Sequence, residues 1–448
     1  MKTIMKLFFG ILVLILLFSS LALIVYTGVL YAPIGKEKNL QKTFTWNYPI
    51  NKDGSICIDN LNCNTTIHVW DKGETEYHLT IDARTRTDRG ADILDKFFTY
   101  LKFANTPDSV SFRVHLWESR FEILNRMIIK LEGGNRIALS RLSMKGELWI
   151  PSGCNFVLKS KYSRIDMDDF AGQLTIDLNN GHLYGGNLKC KTRIVDHYST
   201  IRFKDIKDLS ADLHKTNLEA TNTGDLRINS KYTMVKILCS GKLEINSYHD
   251  KYTIPKTNDI TFTSKYSELK TDSSGQLKID SYKGTFVFGD VKDVKIDSKY
   301  DDFQLGTMGD ISVSSAYKSK LVARTVRSLN INESKYGDYR IDKIKDSFTA
   351  TDGYKDKFII LTTTVDLKLV NVNGKYIEAS IGLLKSTDYR FNLITSNSKL
   401  DIDESLLKSK VKIEGSKLKY DVMSSTEREV IPLIEVNGYN MLIKIIEI

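Results

Sequence analysis

The residues of this sequence whose types could support chemistry are its histidines and its adjacent pairs of aspartates. The seven histidines are His68, His78, His115, His182, His197, His214 and His249. They form no HExxH motif and no other close set of metal ligands, so we expect surface or core histidines and no metal site. The pairs Asp168-Asp169 and Asp301-Asp302 could bind calcium or act as acid and base on a sugar. Neighbouring residues of a strand point to opposite faces, so solvated turns are the favoured interpretation of both pairs.

Motifs of common enzyme classes are absent from the sequence. It contains no GxSxG elbow, no GxxxxGK[ST] loop and no GxGxxG loop. We therefore expect no catalytic residues and no cofactor. The net charge of +9 comes from 64 basic and 55 acidic residues that are interspersed along the chain. A nucleic-acid binder usually concentrates its positive charge on one element, so no nucleic-acid partner is expected.

The five cysteines are too few for a disulfide framework. Cys57 and Cys63 flank a turn-like segment, so a hairpin could bring them into a disulfide in an oxidising compartment. Cys154, Cys190 and Cys239 have no CxxC partner. Buried thiols in the core are the expected role of these three.

The strongest pattern in the sequence is a repeat of 17 residues. Six consecutive segments begin at residues 224, 241, 258, 275, 292 and 309. Weaker copies extend the array from about residue 155 to about residue 400, with spacing that drifts to 18–20. Such regularity indicates a repeat architecture. Each of the six segments has a serine at the same position, and these are Ser230, Ser247, Ser264, Ser281, Ser298 and Ser315.

Each repeat is too short to contain a crossover helix, and its apolar residues alternate. In the segment from residue 292, Val294 and Ile296 point to one face and the charged residues beside them to the other. Stacking buries the apolar face, because each strand pairs with its equivalents in neighbouring coils. The sequence therefore predicts an all-β fold, a single-stranded, right-handed parallel β-helix (β-solenoid) with coils of about 17 residues. An antiparallel meander is the alternative, but it should favour alternating turn types.

Stacking also gives the serines and their aromatic neighbours a structural role. The serines should form a ladder at an inner corner, where their hydroxyls pair with each other or with the backbone. Tyr266, Tyr282, Tyr300 and Tyr317 should form an aromatic ladder beside it, with their phenols at the solvent edge. The alternative is functional, since a row of rings could stack against sugars.

An apolar segment near the N-terminus predicts a membrane anchor. Lys2 and Lys6 precede it, and residues 7–31 carry no charge. As a helix this run would span about 37 Å, enough to cross a bilayer. It is too long for the apolar core of a cleavable signal peptide, so we expect an uncleaved signal anchor. The basic start favours residues 1–6 in the cytoplasm and the body in the periplasm or another extracytoplasmic space, as a single-pass membrane protein.

Residues 41–153 do not follow the repeat, and residues 32–40 are expected to link them to the anchor. Strands are predicted at 55–59, 65–70, 76–83, 110–117 and 146–150, with one amphipathic helix near 91–104. We expect a β-rich module that caps the coils, which occupy residues 154–400. Residues 401–448 should form the second cap, in which Asn437-Gly438 between apolar strands predicts a hairpin.

Two parts of the sequence resemble a known family. The run ICIDNLNCNTTIHVWDKGETEYHLTI (residues 56–81) is similar to the opening strands of the bacterial "putative adhesin" domain family, common in Bacteroidetes. The segment ELWIPSG (147–153), followed by LKSKYSRIDM and the Ser-Lys-Tyr coils, resembles the body of that family. The resemblance covers nearly all of the chain beyond the anchor. It implies a β-helical, envelope-associated protein, and the family brings no catalytic residues.

Together these patterns predict a membrane-anchored, non-catalytic cell-envelope protein. Its β-solenoid would act as an adhesin-like or scaffold surface for an envelope protein or a glycan. One alternative is a carbohydrate-binding or carbohydrate-active β-helix that uses the tyrosines or the aspartate pairs. A second alternative is a regulatory partner of an envelope stress system. Self-association is left open.

Overall fold

The computed structural model describes residues 37–85, 92, 95, 103–123, 126–131, 136–385, 387–406, 412–414, 417–420 and 431–448. The predicted membrane segment, residues 7–31, lies outside this range. Within the described ranges, no helix is long and apolar enough to cross a membrane. Most of the helix predicted at 91–104 also falls outside them. Asp92 and Asp95 are helical, whereas Ala104 already begins a strand, so the predicted helix extends too far.

The chain divides into two compact units, Met1–Asp168 and Asp169–Ile448. The first unit contains twelve strands among its described residues: β1 Lys38–Pro49, β2 Ser55–Leu61, β3 Asn64–Trp70, β4 Glu74–Thr85, β5 Ala104–Thr106, β6 Ser109–Val114, β7 Ser119–Ile123, β8 Arg126–Lys130, β9 Arg136–Leu139, β10 Arg141–Pro151, β11 Asn155–Lys161 and β12 Arg164–Met167. All five predicted strands are present. The predicted strand at 110–117 ends earlier, at Val114.

The first unit already contains coils of the repeating kind. Strands β2 and β3 flank Asn62, which has a positive φ of 55°, and β11 and β12 flank the region of Tyr162, with a φ of 56°. Strand β11 pairs in parallel with β2, and β12 pairs in parallel with β3. Residues 55–70, expected to belong to a module without the repeat, therefore form a coil. A long segment separates β3 from β10 in sequence, but its strand β6 pairs in parallel with β2, as β10 does with β3.

Antiparallel strands and a cluster of aromatic rings complete the first unit. Strand β4 pairs antiparallel with β1 and β10, while β7, β8 and β9 form a separate antiparallel sheet. The ring of Trp46 lies 4.5 Å from that of Phe103, which lies 5.2 Å from Phe112. Tyr77 is fully buried against Phe112. Strand β1 was not predicted, although the alternating aromatic residues of β1 face this cluster.

The second unit contains all remaining strands: β13 Leu174–Asn179, β14 His182–Gly185, β15 Leu188–His197, β16 Thr200–His214, β17 Asn217–Thr223, β18 Leu226–Lys231, β19 Met234–Ser240, β20 Leu243–Tyr248, β21 Lys251–Thr253, β22 Lys256–Thr257, β23 Ile260–Lys265, β24 Glu268–Tyr282, β25 Thr285–Lys299, β26 Asp302–Tyr317, β27 Lys320–Lys335, β28 Asp338–Tyr354, β29 Lys357–Thr363, β30 Leu369–Lys375, β31 Glu378–Leu383, β32 Arg390–Ser396, β33 Lys399–Ile402, β34 Lys412–Glu414, β35 Lys417–Tyr420, β36 Leu433–Tyr439 and β37 Leu442–Glu447. A short 3-10 helix, Glu404–Leu406, is its one described helical element.

These strands form the predicted parallel β-solenoid. Apart from β34 and β35, which form antiparallel pairs, each strand pairs in parallel with its equivalent in a neighbouring coil, as β18 does with β20, and β17 with β19. The alternating apolar residues are buried inside each coil, for example Ile228 on β18 and Val235 on β19. Coils are 17 residues long from Tyr198 to Tyr300 and longer after Tyr300, as the spacing of the residues with positive φ shows. The parallel solenoid is therefore confirmed, whereas its right-handed winding stays a prediction.

The end of the chain does not form the end of the coil stack. Strand β36 pairs in parallel with β30 on one side and with β32 on the other. Strand β37 lies in the same way between β31 and β33. The last coil in sequence therefore inserts between two coils that precede it. The Asn437-Gly438 hairpin prediction is wrong, since both residues belong to β36 and the chain turns at Asn440.

This insertion makes a specific prediction for Ile434, a fully buried residue of β36. Ile434→Asp puts a carboxylate into the apolar interior and should expel β36 and β37. The coil of β32 and β33 would then lose its parallel partners, because it pairs in parallel with β36 and β37. Hydrogen exchange should show loss of amide protection at 390–402 as well as at 433–447, with protection retained at 268–354. Asn437→Asp, on the exposed side of the same strand, is the control. Retained protection at 390–402 in the Ile434 variant would contradict the topology.

Candidate functional site

Every coil of the second unit turns one corner through a single residue in the left-handed conformation. These residues have φ between 50° and 66°, and they are Asn180, Tyr198, Lys215, Tyr232, His249, Tyr266, Lys283, Tyr300, Lys318, Tyr336, Lys355, Tyr376, Asn397 and Asn440. The amide at this position donates to a carbonyl of a neighbouring coil: Tyr266 N donates to Tyr282 O at 2.9 Å, and Tyr300 N to Tyr317 O at 2.8 Å. The corner thus continues the hydrogen bonding between coils.

The residue types at this corner are not those that the backbone prefers. Glycine and asparagine adopt the left-handed conformation most readily, whereas other residues pay about 1 kcal/mol or more. Only Asn180, Asn397 and Asn440 follow the preference within the described coils of this unit, near its two ends. Between them the corner holds tyrosine, lysine or histidine. Their side chains must therefore contribute something that outweighs the strain of the backbone.

The corner residue and the residue before it form a dipeptide whose order inverts from coil to coil. Seven consecutive coils each supply one tyrosine and one lysine, as Lys265-Tyr266, Tyr282-Lys283, Lys299-Tyr300, Tyr317-Lys318, Lys335-Tyr336, Tyr354-Lys355 and Lys375-Tyr376. We call these fourteen residues the Tyr–Lys ladder. The tyrosine is the left-handed residue in one coil and the preceding residue in the next, so the pattern repeats every two coils.

The tyrosines of the ladder are part of a longer continuous row of rings. Neighbouring centroids lie 5.3–6.1 Å apart and neighbouring planes make angles of 75–89°. Such edge-to-face contacts are preferred over stacked sandwiches because of the ring quadrupole. The row comprises Tyr198, His214, Tyr232, Tyr248, Tyr266, Tyr282, Tyr300, Tyr317, Tyr336, Tyr354, Tyr376 and Tyr439.

The three ladder lysines at the left-handed position lie over these rings. The ammonium of Lys318 is 5.8, 5.5 and 5.7 Å from the centroids of Tyr300, Tyr317 and Tyr336. Lys283 and Lys355 each contact three rings in the same way. These distances are those of cation–π contacts. Among the residues that the structure describes, none of these three ammonium groups has a carboxylate oxygen within 4.0 Å.

The ladder is open to solvent. The left-handed tyrosines are the more accessible set, with Tyr266, Tyr300 and Tyr336 exposed to 37%, 39% and 41%. The tyrosines at the preceding position are half-buried. The surface therefore combines accessible rings with three lysines, Lys283, Lys318 and Lys355, that have no carboxylate partner among the described residues, whereas Lys335 pairs with Glu333 at 3.0 Å. Such a surface can stack against flat or apolar ligand faces and attract negative charge.

Behind the corner, the predicted serines point into the coil. Ser230, Ser247, Ser264, Ser281 and Ser298 are buried. The hydroxyls of Ser264 and Ser281 are 3.0 Å apart, and Ser247 donates to the Ser267 hydroxyl at 2.7 Å. Ser315 differs, because an irregularity in the pairing of β25 with β26 shifts the register by one residue. Ala316 takes the inward position, and Ser315 is half-exposed and lies outside the row of buried serines.

Three buried aspartates complete this interior network, at the residue after the corner. They are Asp250, Asp301 and Asp356. Asp301 accepts the amide of Gly284 at 2.5 Å and the hydroxyl of Ser298 at 2.8 Å. Asp250 and Asp356 accept equivalent bonds from amides and serines. Burial raises the pKa of Asp301 and raises that of Asp356 to about 6.

The carboxylates of the aspartate pairs have different surroundings. Asp301 is buried and Asp302 is exposed, so the two side chains lie on opposite faces of the coil wall. In the first unit, Asp168 lies 3.4 Å from His68 and accepts the amide of Val69. In the second unit, Asp169 accepts the side-chain amide of Asn187 at 2.7 Å and its backbone amide at 2.6 Å, and these two bonds lower the pKa of Asp169. These bonds give each carboxylate a local structural role.

A groove of about 1360 Å³ runs along the strands that precede the left-handed corner. Its carboxylates hold the other corner of the coils. Asp225 accepts the amide of Lys242 at 2.9 Å, and Asp259 accepts that of Gln276 at 3.0 Å. Lysines and arginines lie between these acids, and some pair with acids, as Arg227 does with Glu244 at 2.6 Å. The groove therefore presents mixed charge.

The remaining singled-out residues lie at several different places, although the rings of His197 and His214 are 5.7 Å apart. His68, His78 and His115 each contact one acid in the first unit, whereas His197, His214 and His249 belong to the corners of the second. Across the described residues, no group of three or more His, Cys, Asp or Glu is placed to hold a metal. Cys57 and Cys63 are free thiols. Cys63 is fully buried near the Tyr77 hydroxyl, and burial raises its pKa to about 11.

The lysines of the ladder were missed by the sequence reasoning, which singled out Tyr266, Tyr282, Tyr300 and Tyr317. The signal was present as the inversion between SKYS, SYKG, SKYD and AYKS in successive repeats. The left-handed corner also explains the inversion. At this turn, the left-handed residue and the residue before it can each direct a ring to the same row, so the tyrosine can occupy either position. The tyrosines do form the contacts of an aromatic row.

Among known proteins, similarity to this chain is found in solved structures. No protein-family model matches the chain, and no curated protein matches it. A solved structure that is similar is the crystal structure of a putative adhesin from Parabacteroides merdae ATCC 43184. It has 10% sequence identity and a TM-score of 0.21, and the match covers 67% of this chain and 96% of that one.

The raised pKa of Asp356 predicts how stability depends on pH. An unfolded aspartate has a pKa of about 4, so between about pH 4 and 6 the folded state binds the proton more tightly. The charged carboxyl therefore costs stability above pH 6, and the cost is lost on acidification. Relative to Asp356→Asn, the wild type should gain about 2 kcal/mol between pH 7 and pH 4.5, measured from paired melting curves. A wild type that loses stability relative to the variant on acidification would contradict this.

Proposed function

We propose that this protein is a non-catalytic, adhesin-like binding protein of the cell envelope, and that the Tyr–Lys ladder is its binding surface. The ladder is the observation that supports this proposal most directly. Half of its residues occupy a strained backbone position where asparagine or glycine would be easier to accommodate. The ladder nevertheless leaves accessible rings at the surface, and the ammonium groups of Lys283, Lys318 and Lys355 have no carboxylate oxygen within 4.0 Å among the described residues.

The apolar run of residues 7–31 supports the second part of the proposal, that a membrane anchor holds this surface outside the cytoplasm. Anchoring suits adhesion, because many tethered copies can engage one extended ligand together. Weak contacts at each coil then add up through high effective concentration. A repeated surface with equivalent binding positions is well adapted to this form of attachment.

The proposal is tested by cell adhesion with the full-length protein on the cell surface. The variant Tyr266→Asn, Tyr300→Asn, Tyr336→Asn removes three accessible rings. Asparagine tolerates the left-handed corner, so the coils should persist. At roughly 1 kcal/mol for each ring contact, we expect adhesion to a panel of immobilised polysaccharides and proteins to fall at least tenfold. Deleting residues 7–31 should abolish adhesion by releasing the protein from the membrane.

A matched control removes apolar side chains from another face. Leu238 and Leu361 are exposed on strands β19 and β29, away from the corner. The double variant Leu238→Asn, Leu361→Asn should adhere like the wild type. Surface expression and melting temperature are measured for every variant. If the triple tyrosine variant is expressed, folded and fully adhesive, the ladder is not the binding surface.

A further inference from the structure

We infer that the ligand of the Tyr–Lys ladder is an extended, β-1,4-linked acidic polysaccharide, a polyuronate, that lies along the ladder with one sugar per coil. This inference rests on the proposed function and specifies its ligand class. Three properties of the ladder carry it: the chemistry of the two side chains, the spacing of the coils and the two-coil period.

The chemistry of the side chains selects a sugar with a negative charge. Tyrosine rings suit the apolar C–H face of a pyranose, and their phenols can bond its hydroxyls. Each of the seven coils from Lys265-Tyr266 to Lys375-Tyr376 contributes one lysine, of which Lys335 already pairs with Glu333 at 3.0 Å. Lys283, Lys318 and Lys355 have no carboxylate within 4.0 Å among the described residues. A ligand with one carboxylate per sugar would supply the missing anions.

The spacing of the coils suits an extended glycan. Parallel strands place equivalent residues about 4.8 Å apart along the stack. The centroids of consecutive ladder rings are 5.3–5.9 Å apart, because successive rings are offset and tilted. One sugar of an extended β-1,4-linked chain advances by nearly the same distance. Each sugar can therefore meet one ring and one lysine.

The two-coil period matches the symmetry of that polymer. In an extended β-1,4-linked chain each sugar is rotated by half a turn from the last, so the carboxylates of a polyuronate alternate between two edges. The lysines of the ladder likewise enter alternately from the left-handed position, as Lys283 and Lys318 do, and from the preceding position, as Lys265 and Lys299 do.

The groove on the neighbouring strands is a poorer site for such a ligand. Asp225 and Asp259 are directed at backbone amides of adjacent coils, and Asp310 pairs with Arg327 at 2.5 Å. These carboxylates would repel a polyanion at every coil that carries one. The groove nevertheless offers the matched control, because it contains Lys242, Lys278 and Lys295.

The test measures binding of a β-1,4-linked mannuronate hexamer to the full-length protein by calorimetry at low and physiological salt. The ladder variant Lys283→Gln, Lys318→Gln, Lys355→Gln should weaken binding about tenfold and reduce its salt dependence. The groove variant Lys242→Gln, Lys278→Gln, Lys295→Gln carries the same change of net charge and should bind like the wild type. A neutral β-1,4-linked mannan hexamer should bind the wild type weakly and should not respond to loss of the ladder lysines.

Several outcomes would overturn the inference, and they separate it from the proposed function. Equal binding of the neutral and acidic hexamers would exclude the acidic class. Weakening by the groove variant alone would place the site in the groove. Tighter binding of an oligothymidylate would point to a nucleic-acid platform instead. If the hexamer does not bind while cell adhesion still requires the tyrosines, the ligand class is wrong and the adhesive function survives.

Discussion

Parallel stacking places every residue of a coil about 4.8 Å from its equivalents in the two neighbouring coils. Each position of the repeat therefore becomes a row, and each side chain must be compatible with a copy of itself. Serine satisfies this requirement, since a hydroxyl can both donate and accept, as between Ser264 and Ser281. Lysine does not, because like charges directly opposite each other are destabilising. A row of identical tyrosines would also force rings into an unfavourable sandwich.

The inverted dipeptides of the Tyr–Lys ladder resolve both conflicts at once. Alternation keeps lysines at the left-handed position two coils apart, and it gives the rings edge-to-face contacts at 75–83° within the ladder. The interior follows the same rule. Asp250, Asp301 and Asp356 never occupy adjacent coils, and hydroxyls and amides from two coils satisfy each carboxylate. On the outer faces, side chains of opposite charge pair between adjacent coils, as Arg227 does with Glu244.

The sequence was sufficient to predict what this constraint imposes on every coil. Equal spacing of Ser230 to Ser298 predicted parallel coils and an inner hydroxyl row, because identical spacing means identical position. The same reasoning failed where the number of residues in a coil changes. At Ser315, one additional residue moves Ala316 into the inward position. The reasoning also failed at Ser55–Trp70, a coil separated in sequence from the others by a long segment, and at the C-terminus, where pairing order departs from chain order. Local patterns do not encode which distant strand becomes a neighbour.

Part of the candidate site was predictable, and part depended on the backbone. The tyrosines could be found from their spacing. The lysines could be recognised as part of the site only once the left-handed corner was known, because this corner aligns two adjacent positions into one row. That alignment is the central claim, and inverting a single dipeptide tests it most directly. The variant K299Y/Y300K keeps composition, charge and ring number but puts three lysines in succession at the left-handed position, with Lys283 and Lys318. Calorimetry with the mannuronate hexamer should show weaker binding by a folded protein. Unchanged affinity would contradict the account.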